Sequence, residues 1–510
     1  MLDGSWYTGT MKNLSLASVT EVFPGNLLDT LAIVYHDLPG DVYLSGGTVR
    51  DMMLARKPAD IDLTVVRHAR QWASRVARMT GGTYVELGRE EDAARVVLPG
   101  LDLDFTSFRE GASSIEQELK KRDITINSMA LPIHGILRHE ICADEAVITV
   151  IDPLGGVDDL AAGLVRLNSA RSFVSDPLRM LRVFRFAGVL DFTIEAATLA
   201  QVRLQRYAIE RVAAERVARE LDLLVSSPGA HACFIAMAEC GLLWNILPEL
   251  RAGVGMDQPA SHHLDVFSHC LETLRQMEVV LVDTAAFFPA QQEVMAAYLA
   301  QDRRPLLLKW AALFHDIGKP ATFGINEDKG GRITFYNHDL QGAEIFGRIA
   351  DRLRWSSRES RYVAGLITAH MRPFFLANNQ RQGALSFKAC LRLVRAIGDH
   401  LPGLFLLAMA DALAGKGEGS PAAIEKEVAD IFDRLMRVET EHVAPVRKAT
   451  PLITGKDLIT ALGLEPGPLF REILEKVEES HMAHTIHTRE QALSLARQLA
   501  ADRAGQARCD

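Results

Sequence analysis

Two rhythms of hydrophobic positions divide the chain. In the first, residues 42–44 and 61–66 are apolar or β-branched runs bounded by Gly or Pro, which predicts strands. Residues 96–98 and 101–106 predict a hairpin turning at Pro99-Gly100. Helical spacing lies between these runs, over 49–55 and 70–79. Beyond Leu160 the apolar spacing becomes three and four, in Leu178, Leu181, Val183, Phe184 and Phe186, then Val212, Val217, Leu221 and Leu224. Nearly every later segment keeps that period, punctuated by Pro or Gly at 228–229, 248, 305, 320, 373, 402 and 451. The prediction is a multidomain chain: a small α/β head, with a mixed sheet and helices, followed by a mostly α-helical body.

Composition adds bounds. A length of 510 residues exceeds one core and suggests three domains at about 150 residues each. Apolar residues make up 48% and charged residues 24%, as in an ordinary globular protein. With 56 Lys+Arg against 65 Asp+Glu the net charge is −9. That excludes a uniformly basic nucleic-acid coat, though not a local basic groove, because affinity follows the phosphates contacted. The longest apolar stretch, 404–410, is far short of the ~20 residues of a membrane span. Residues 1–20 hold one Lys and no apolar core, so no secretory signal is expected. The cysteines at 142, 233, 240, 270, 390 and 509 form no CxxC, which argues against a zinc knuckle or a disulfide framework. A cytoplasmic location is expected.

The first chemistry-bearing constellation is Tyr43-Leu-Ser-Gly-Gly-Thr-Val-Arg-Asp51, a strand, a Gly-Gly turn and a helix start. Such a turn lets backbone approach a phosphate, with N–H groups aimed at it. Asp60-Ile-Asp62 follows, and on a strand its two carboxylates share a face while Ile61 and Leu63 point into the core. Leu101-Asp-Leu-Asp-Phe105 repeats the alternation with Asp102 and Asp104. Three carboxylates converging from two strands are what a pair of Mg²⁺ ions, ~4 Å apart, requires.

Taken in order, these segments resemble the class II tRNA nucleotidyltransferase and bacterial poly(A) polymerase family. Further blocks match: Lys121-Arg122-Asp123-Ile-Thr-Ile-Asn127-Ser-Met-Ala, Asp152-Pro-Leu-Gly-Gly156 with Asp159-Leu160, Phe173-Val-Ser-Asp176-Pro-Leu-Arg179-Met-Leu-Arg182-Val-Phe-Arg185-Phe, and Glu215-Arg216-Val-Ala-Arg-Glu220-Leu. The resemblance runs almost without a break from Tyr43 to Leu224. It implies that Asp60 and Asp62 hold Mg²⁺, with Asp104 as the third catalytic acid. It implies nucleotide-binding roles for Gly46, Gly47, Arg50, Asp51, Arg122, Asp123, Asn127, Asp176, Arg179 and Arg182. Among these, Gly47 and Arg50 face the triphosphate, and Asp176 and Arg179 read the base edge in place of a template. Carboxylate and guanidinium together can satisfy the donor and acceptor pattern of cytosine or adenine. Two positions depart from the family pattern. Ser175 stands where Glu is usual, which leaves the identity of the added base open, and Lys121 stands where Arg is usual.

A second constellation lies in the helical body. An apolar run over 306–312 leads into Leu313-Phe-His315-Asp316-Ile-Gly-Lys319-Pro, and His269, His338, His370 and Asp411 each sit on or beside an apolar helix. Imidazoles with carboxylates suit Mn²⁺, Ni²⁺, Co²⁺, Fe²⁺ or Zn²⁺, or a mixed pair with Mg²⁺. The order resembles the HD phosphohydrolase superfamily, which implies His269, His315, Asp316, His338, His370 and Asp411 as ligands. His262 and His263 precede this set and are left outside it.

The expected organisation is an N-terminal extension (1–25), a nucleotidyltransferase head (26–160), a helical neck that selects nucleotide and binds RNA (161–255), an HD domain (256–420) and a C-terminal helical tail (421–510). The expected activity is template-independent addition or repair of the 3′ CCA end of tRNA from CTP and ATP. The alternatives are A-only or CC-only addition, poly(A) tailing, or a metal-dependent phosphohydrolase whose head only grips RNA. Basic clusters at Arg203, Arg206, Arg211, Arg216 and Arg219, and at Arg352, Arg354, Arg358 and Arg361, are where RNA contact is sought. No membrane and no obligate protein partner are expected.

Overall fold

The computed structural model describes residues 12–38, 40–88, 91–109, 111–141, 146–301 and 303–506, and divides into two units, 1–248 and 249–510. Cys142, Cys509 and the first half of the segment read for a secretory signal lie outside the described residues. Cys233, Cys240, Cys270 and Cys390 are buried free thiols.

The first unit is built on a six-stranded sheet, in the spatial order Thr83–Glu86, Ala93–Leu98, Leu101–Ser107, Asp60–Val65, Val42–Ser45, Ala130–Pro132. Leu101–Ser107 runs parallel to Asp60–Val65, and the other neighbours pair antiparallel. The alternation at 60–63 is realised: Ile61 and Leu63 are fully buried, while Asp60 and Asp62 keep partial access on the other face. Helix Ala69–Thr80 covers the core face, where Trp72 stacks on Phe105 with ring centroids 6.3 Å apart.

The predicted strand–turn–helix is Val42–Ser45, Gly46 and Gly47–Met53. Gly46 has φ +64°, and a Cβ there would come within 2.6 Å of an Arg122 guanidinium nitrogen and 2.9 Å of an Asp62 carboxylate oxygen. Only glycine suits both demands. Beyond the sheet, helix Arg179–Leu190 buries Met180, Leu181, Val183 and Phe184 against helices Ala214–Ser226 and Ala230–Glu239. That leaves Arg179, Arg182 and Arg185 on its more open side.

The second unit is helical as predicted, with one difference. Phe323–Asn326 and Arg332–Phe335 form an antiparallel hairpin inside a segment expected to be helical. Around it, Val266–Val282 packs on Leu401–Ala414 and Arg304–Phe314, and His338–Arg352 packs on Ser357–Ala369. Residues Phe387–Ala414 are apolar and long enough to cross a membrane by length and composition. They fold as two helices parted at Gly398 (φ +55°), the second of them buried almost throughout. The chain closes with helices Gly455–Leu462, Pro468–Met482 and Arg489–Gln506. The first of these three opens on a capping box of Thr454 and Asp457, and Leu458, Ile473 and Ala492 share a small core.

Candidate active site and metal centre

The parallel register sets Asp60 beside Asp102 and Asp62 beside Asp104. Oxygens of Asp60, Asp62 and Asp104 lie within 4.8 Å of one another. Asp62 is fixed by the Gly47 amide, which donates to Oδ2 at 3.0 Å, and its own amide donates to the Thr48 hydroxyl at 2.7 Å. Burial, together with Asp104, raises the pKa of Asp60. Burial pushes Asp62 up to about 6 despite the nearby Arg122. Carboxylates held this close resist ionisation unless a cation joins them, so the donor set fits a hard divalent metal.

Arg122 donates to the hydroxyls of Ser45 and Thr64 at 2.9 and 3.0 Å, close under the Gly46 turn. Arg50 bonds Asp51 at 2.8 Å and the Asn127 amide oxygen at 2.7 Å. Asp123 is buried, and Arg182 donates to it at 2.6 Å. Burial favours the neutral acid, yet Arg182 draws its pKa down to about 2. Asp176 pairs with Arg216 at 2.9 Å. Arg179 donates to the Ser172 hydroxyl at 2.8 Å, with the Ser175 hydroxyl at 3.5 Å. Neutral hydroxyls are thus the hydrogen-bond partners of this guanidinium.

In the second unit the six expected ligands converge around Asp316. His269 Nε2 lies 3.0 Å from Asp411 Oδ1 and 3.5 Å from Asp316 Oδ2. His315 Nε2 lies 3.1 Å from Asp316 Oδ2 and 3.6 Å from Asp411 Oδ1. On the other side, His338 and His370 reach Asp316 Oδ1 at 3.4 and 3.5 Å, and their Nε2 atoms are 3.1 Å apart.

The backbone sets the ring protonation. Nδ1 of His315, His338 and His370 faces the carbonyls of Ala312, Phe335 and Ile367 at 2.9, 2.7 and 2.6 Å. Nδ1 therefore carries a proton, and each ring turns its Nε2 inward, open to a cation or to a second proton. There the Nε2 atoms meet carboxylate oxygens or one another, and buried His315 Nε2 and Asp316 Oδ1 have no hydrogen-bond partner. Burial opposes charge here, yet Asp316 and Asp411 raise the pKa of His315 to about 10. Asp316 is itself held well below the usual range by His315 and Lys319. The centre is arranged for cations, and its N/O donor set fits divalent metals. Above it opens a cavity of about 740 Å³.

Four residues stand out that the sequence reading did not assign. Arg95 bonds both oxygens of Asp104 at 2.7 Å and Asp102 at 2.8 Å. Phe186 lies under Arg50, Arg182 and Arg185, at 5.4, 5.3 and 4.0 Å from its ring centre. Lys319 reaches Asp316 at 2.5 Å. His262, set aside as preceding the metal set, lies 4.5 Å ring to ring from His269 and lines the cavity.

Sheet, carboxylates and arginine helix together define a metal-dependent nucleotidyltransferase head, on one chain with an HD-type metal centre. Residues 42–166 match the model of the poly A polymerase head domain, 191–253 that of the "Probable RNA and SrmB-binding site of polymerase A", 266–437 the HD domain, and 425–496 a tRNA nucleotidyltransferase domain 2. The A-adding tRNA nucleotidyltransferase of Deinococcus radiodurans is 32% identical over 92% of this chain and 97% of its own. The CC-adding tRNA nucleotidyltransferase of Thermus thermophilus is 29% identical over 89% of this chain and 92% of its own. The Thermotoga maritima CCA-adding enzyme, solved in complex with tRNA, shares the fold at a TM-score of 0.59 and 20% identity, over 96% of this chain and 99% of its own. The chain belongs to the tRNA nucleotidyltransferase family of enzymes.

Proposed function

We propose that this enzyme adds or repairs the 3′ CCA end of tRNA, using CTP and ATP. The observation that carries the reading is the carboxylate set Asp60, Asp62 and Asp104 beside the Gly46-Gly47 turn. Asp60, Asp62 and Asp104 would hold Mg²⁺, whose chemistry when bound would be to lower the pKa of the attacking 3′ hydroxyl and to offset charge on the leaving pyrophosphate. Gly46 and Gly47 leave room for the triphosphate, and Arg50 and Arg122, steadied by Asp51 and Asn127, neutralise it. Arg182, locked on Asp123, keeps the pocket wall rigid. Asp176 and Arg179 present an acceptor and a donor fork to the base edge. We assign 1–25 to an N-terminal extension, 26–160 to the head, 161–255 to the neck, 256–420 to the HD domain and 421–510 to the tail, and place the enzyme in the cytoplasm.

The test is single-nucleotide incorporation with Mg²⁺ on tRNA transcripts ending at the discriminator base, at C and at CC. CTP followed by ATP, stopping at CCA, is expected. A second reading, A-only or CC-only addition, is favoured by Ser175 and by the two relatives matched along nearly the whole chain. The same transcripts read it: ATP alone on the CC end, or CTP alone with a stop at CC. Incorporation on none of them overturns both readings.

We also propose that the HD centre hydrolyses phosphoesters with Ni²⁺, Mn²⁺, Co²⁺, Fe²⁺, Zn²⁺ or Mg²⁺ held by His269, His315, Asp316, His338, His370 and Asp411. Unchanged hydrolysis of bis(p-nitrophenyl) phosphate after His315→Ala with Asp316→Ala overturns this.

A further inference from the structure

Beside the metal centre lies a second cavity, of about 810 Å³, walled by helices Ser357–Ala369, Arg372–Arg381 and Phe387–Ile397. It shares Thr368, Arg372 and Phe375 with the cavity over the metal ligands, but none of those ligands lines it. Its walls carry Arg304, Arg358, Arg361, Arg372 and Arg392, and no Asp or Glu.

Arginines elsewhere on these same helices have acidic partners: Arg381 pairs with Glu427 and Arg395 with Glu478. Arg358, Arg361, Arg372 and Arg392 have no ion-pair or hydrogen-bond partner among the described residues. Helical spacing turns Arg358 and Arg361 to one face, and Arg372 and Arg392 line the same cavity from two further helices. Like charges gathered in a concavity raise a positive potential that only an anion relieves. His400 at the rim feels it: burial, Arg304 and Arg358 hold its pKa below the ordinary histidine value.

The floor is of another kind. Leu366, Leu376 and Leu393 are buried beneath it, and Phe375 leaves 53% of its surface exposed at the mouth. An apolar floor, an open aromatic ring and several forked donors suit a flat heterocycle joined to phosphates. The volume is in the range of small-ligand sites.

We propose that this cavity binds a nucleoside phosphate, with the base on Phe375 and the phosphates on Arg358, Arg361 and Arg392. Free nucleotides and a nucleotide of an RNA strand share that chemistry, and the test separates them. The full-length protein is irradiated with 8-azido-ATP or with a short RNA carrying 4-thiouridine, and the adducts are mapped by mass spectrometry. Adducts on peptides within 358–400 are expected. Those from 8-azido-ATP would assign a free nucleotide, and those from the RNA alone a strand. Arg361→Ala with Arg392→Ala should lower these adducts at least fivefold, with adducts on the head and the melting temperature unchanged. Arg361→Lys with Arg392→Lys should keep more than half. Absence of adducts in 358–400, or adducts indifferent to the double alanine variant, overturns the site. Equal competition by ATP and inorganic tripolyphosphate overturns the seat for the base.

Discussion

Arg95 grips Asp104 at both carboxylate oxygens, each at 2.7 Å. The hairpin sets these residues directly opposite one another. The guanidinium supplies positive charge at this edge of the site, so a metal held as proposed by Asp104 would compete with Arg95 for one carboxylate. Arg95→Ala should therefore lower the Mg²⁺ concentration for half-maximal incorporation. A charge-assisted bond of about 1.5–3 kcal/mol corresponds to a shift of about tenfold or more. A Mg²⁺ titration checks this, and an unmoved midpoint contradicts the competition.

Asp60→Asn and Asp62→Asn remove the oxygens proposed to hold Mg²⁺ while keeping the strand and its packing. Incorporation should fall by at least about three orders of magnitude in each variant. Phosphodiester hydrolysis at the HD centre should be unchanged, which a parallel assay on the same preparation reads.

Arg182→Ala tests the Asp123 pair. In the parent, Arg182 draws buried Asp123 down to about 2, against an ordinary 3.8. A depressed acid stabilises the fold above its unfolded value, and that stability is lost as pH falls from about 4 towards 2. In the variant, burial is opposed chiefly by the more distant Arg179. The unpaired charge should cost about 3 kcal/mol at pH 7. Lowering the pH lets Asp123 protonate, so the difference between variant and parent should shrink by pH 4. Urea midpoints at the two pH values measure it, and a difference constant with pH contradicts the assignment.

Gly318→Ala tests the packing that holds His338 on Asp316. A Cβ at Gly318 would overlap the His338 carbonyl oxygen and lie 2.9 Å from Gly342 Cα. The helix His338–Arg352 must then retreat, at about 1–3 kcal/mol. A lower melting temperature and a loss of bound metal by elemental analysis are expected. Normal values of both would show that the helix does not set the ligand geometry.

Much of this was legible because period and function coincide. The alternation at 60–63 and 101–105 told core from site at each position, and the Gly-Gly turn could be placed before it. The turn at Pro99-Gly100 even contained the Arg95–Asp104 pairing, since a two-residue connection fixes which residues face each other, but one arginine in a strand carries no mark of its partner. Phe186 was hidden because an aromatic at helical spacing reads as core. His262 lies in the loop before helix Val266–Val282, where no period says which way a side chain turns. The 323–335 hairpin was missed because its strands are short and sit between strongly helical segments. The arginine-lined cavity draws on several helices, whose meeting no linear pattern announces.

The strand that carries Asp60 and Asp62 also carries Ile61 and Leu63 into the core. A single inserted or deleted residue within it would exchange the two sets, burying acids and presenting hydrocarbon to the substrate. Side chains around this site can be replaced one at a time, but its spacing cannot drift. Length changes among descendants of this chain should accumulate in its connections and be purged from residues 60–65 and 101–105.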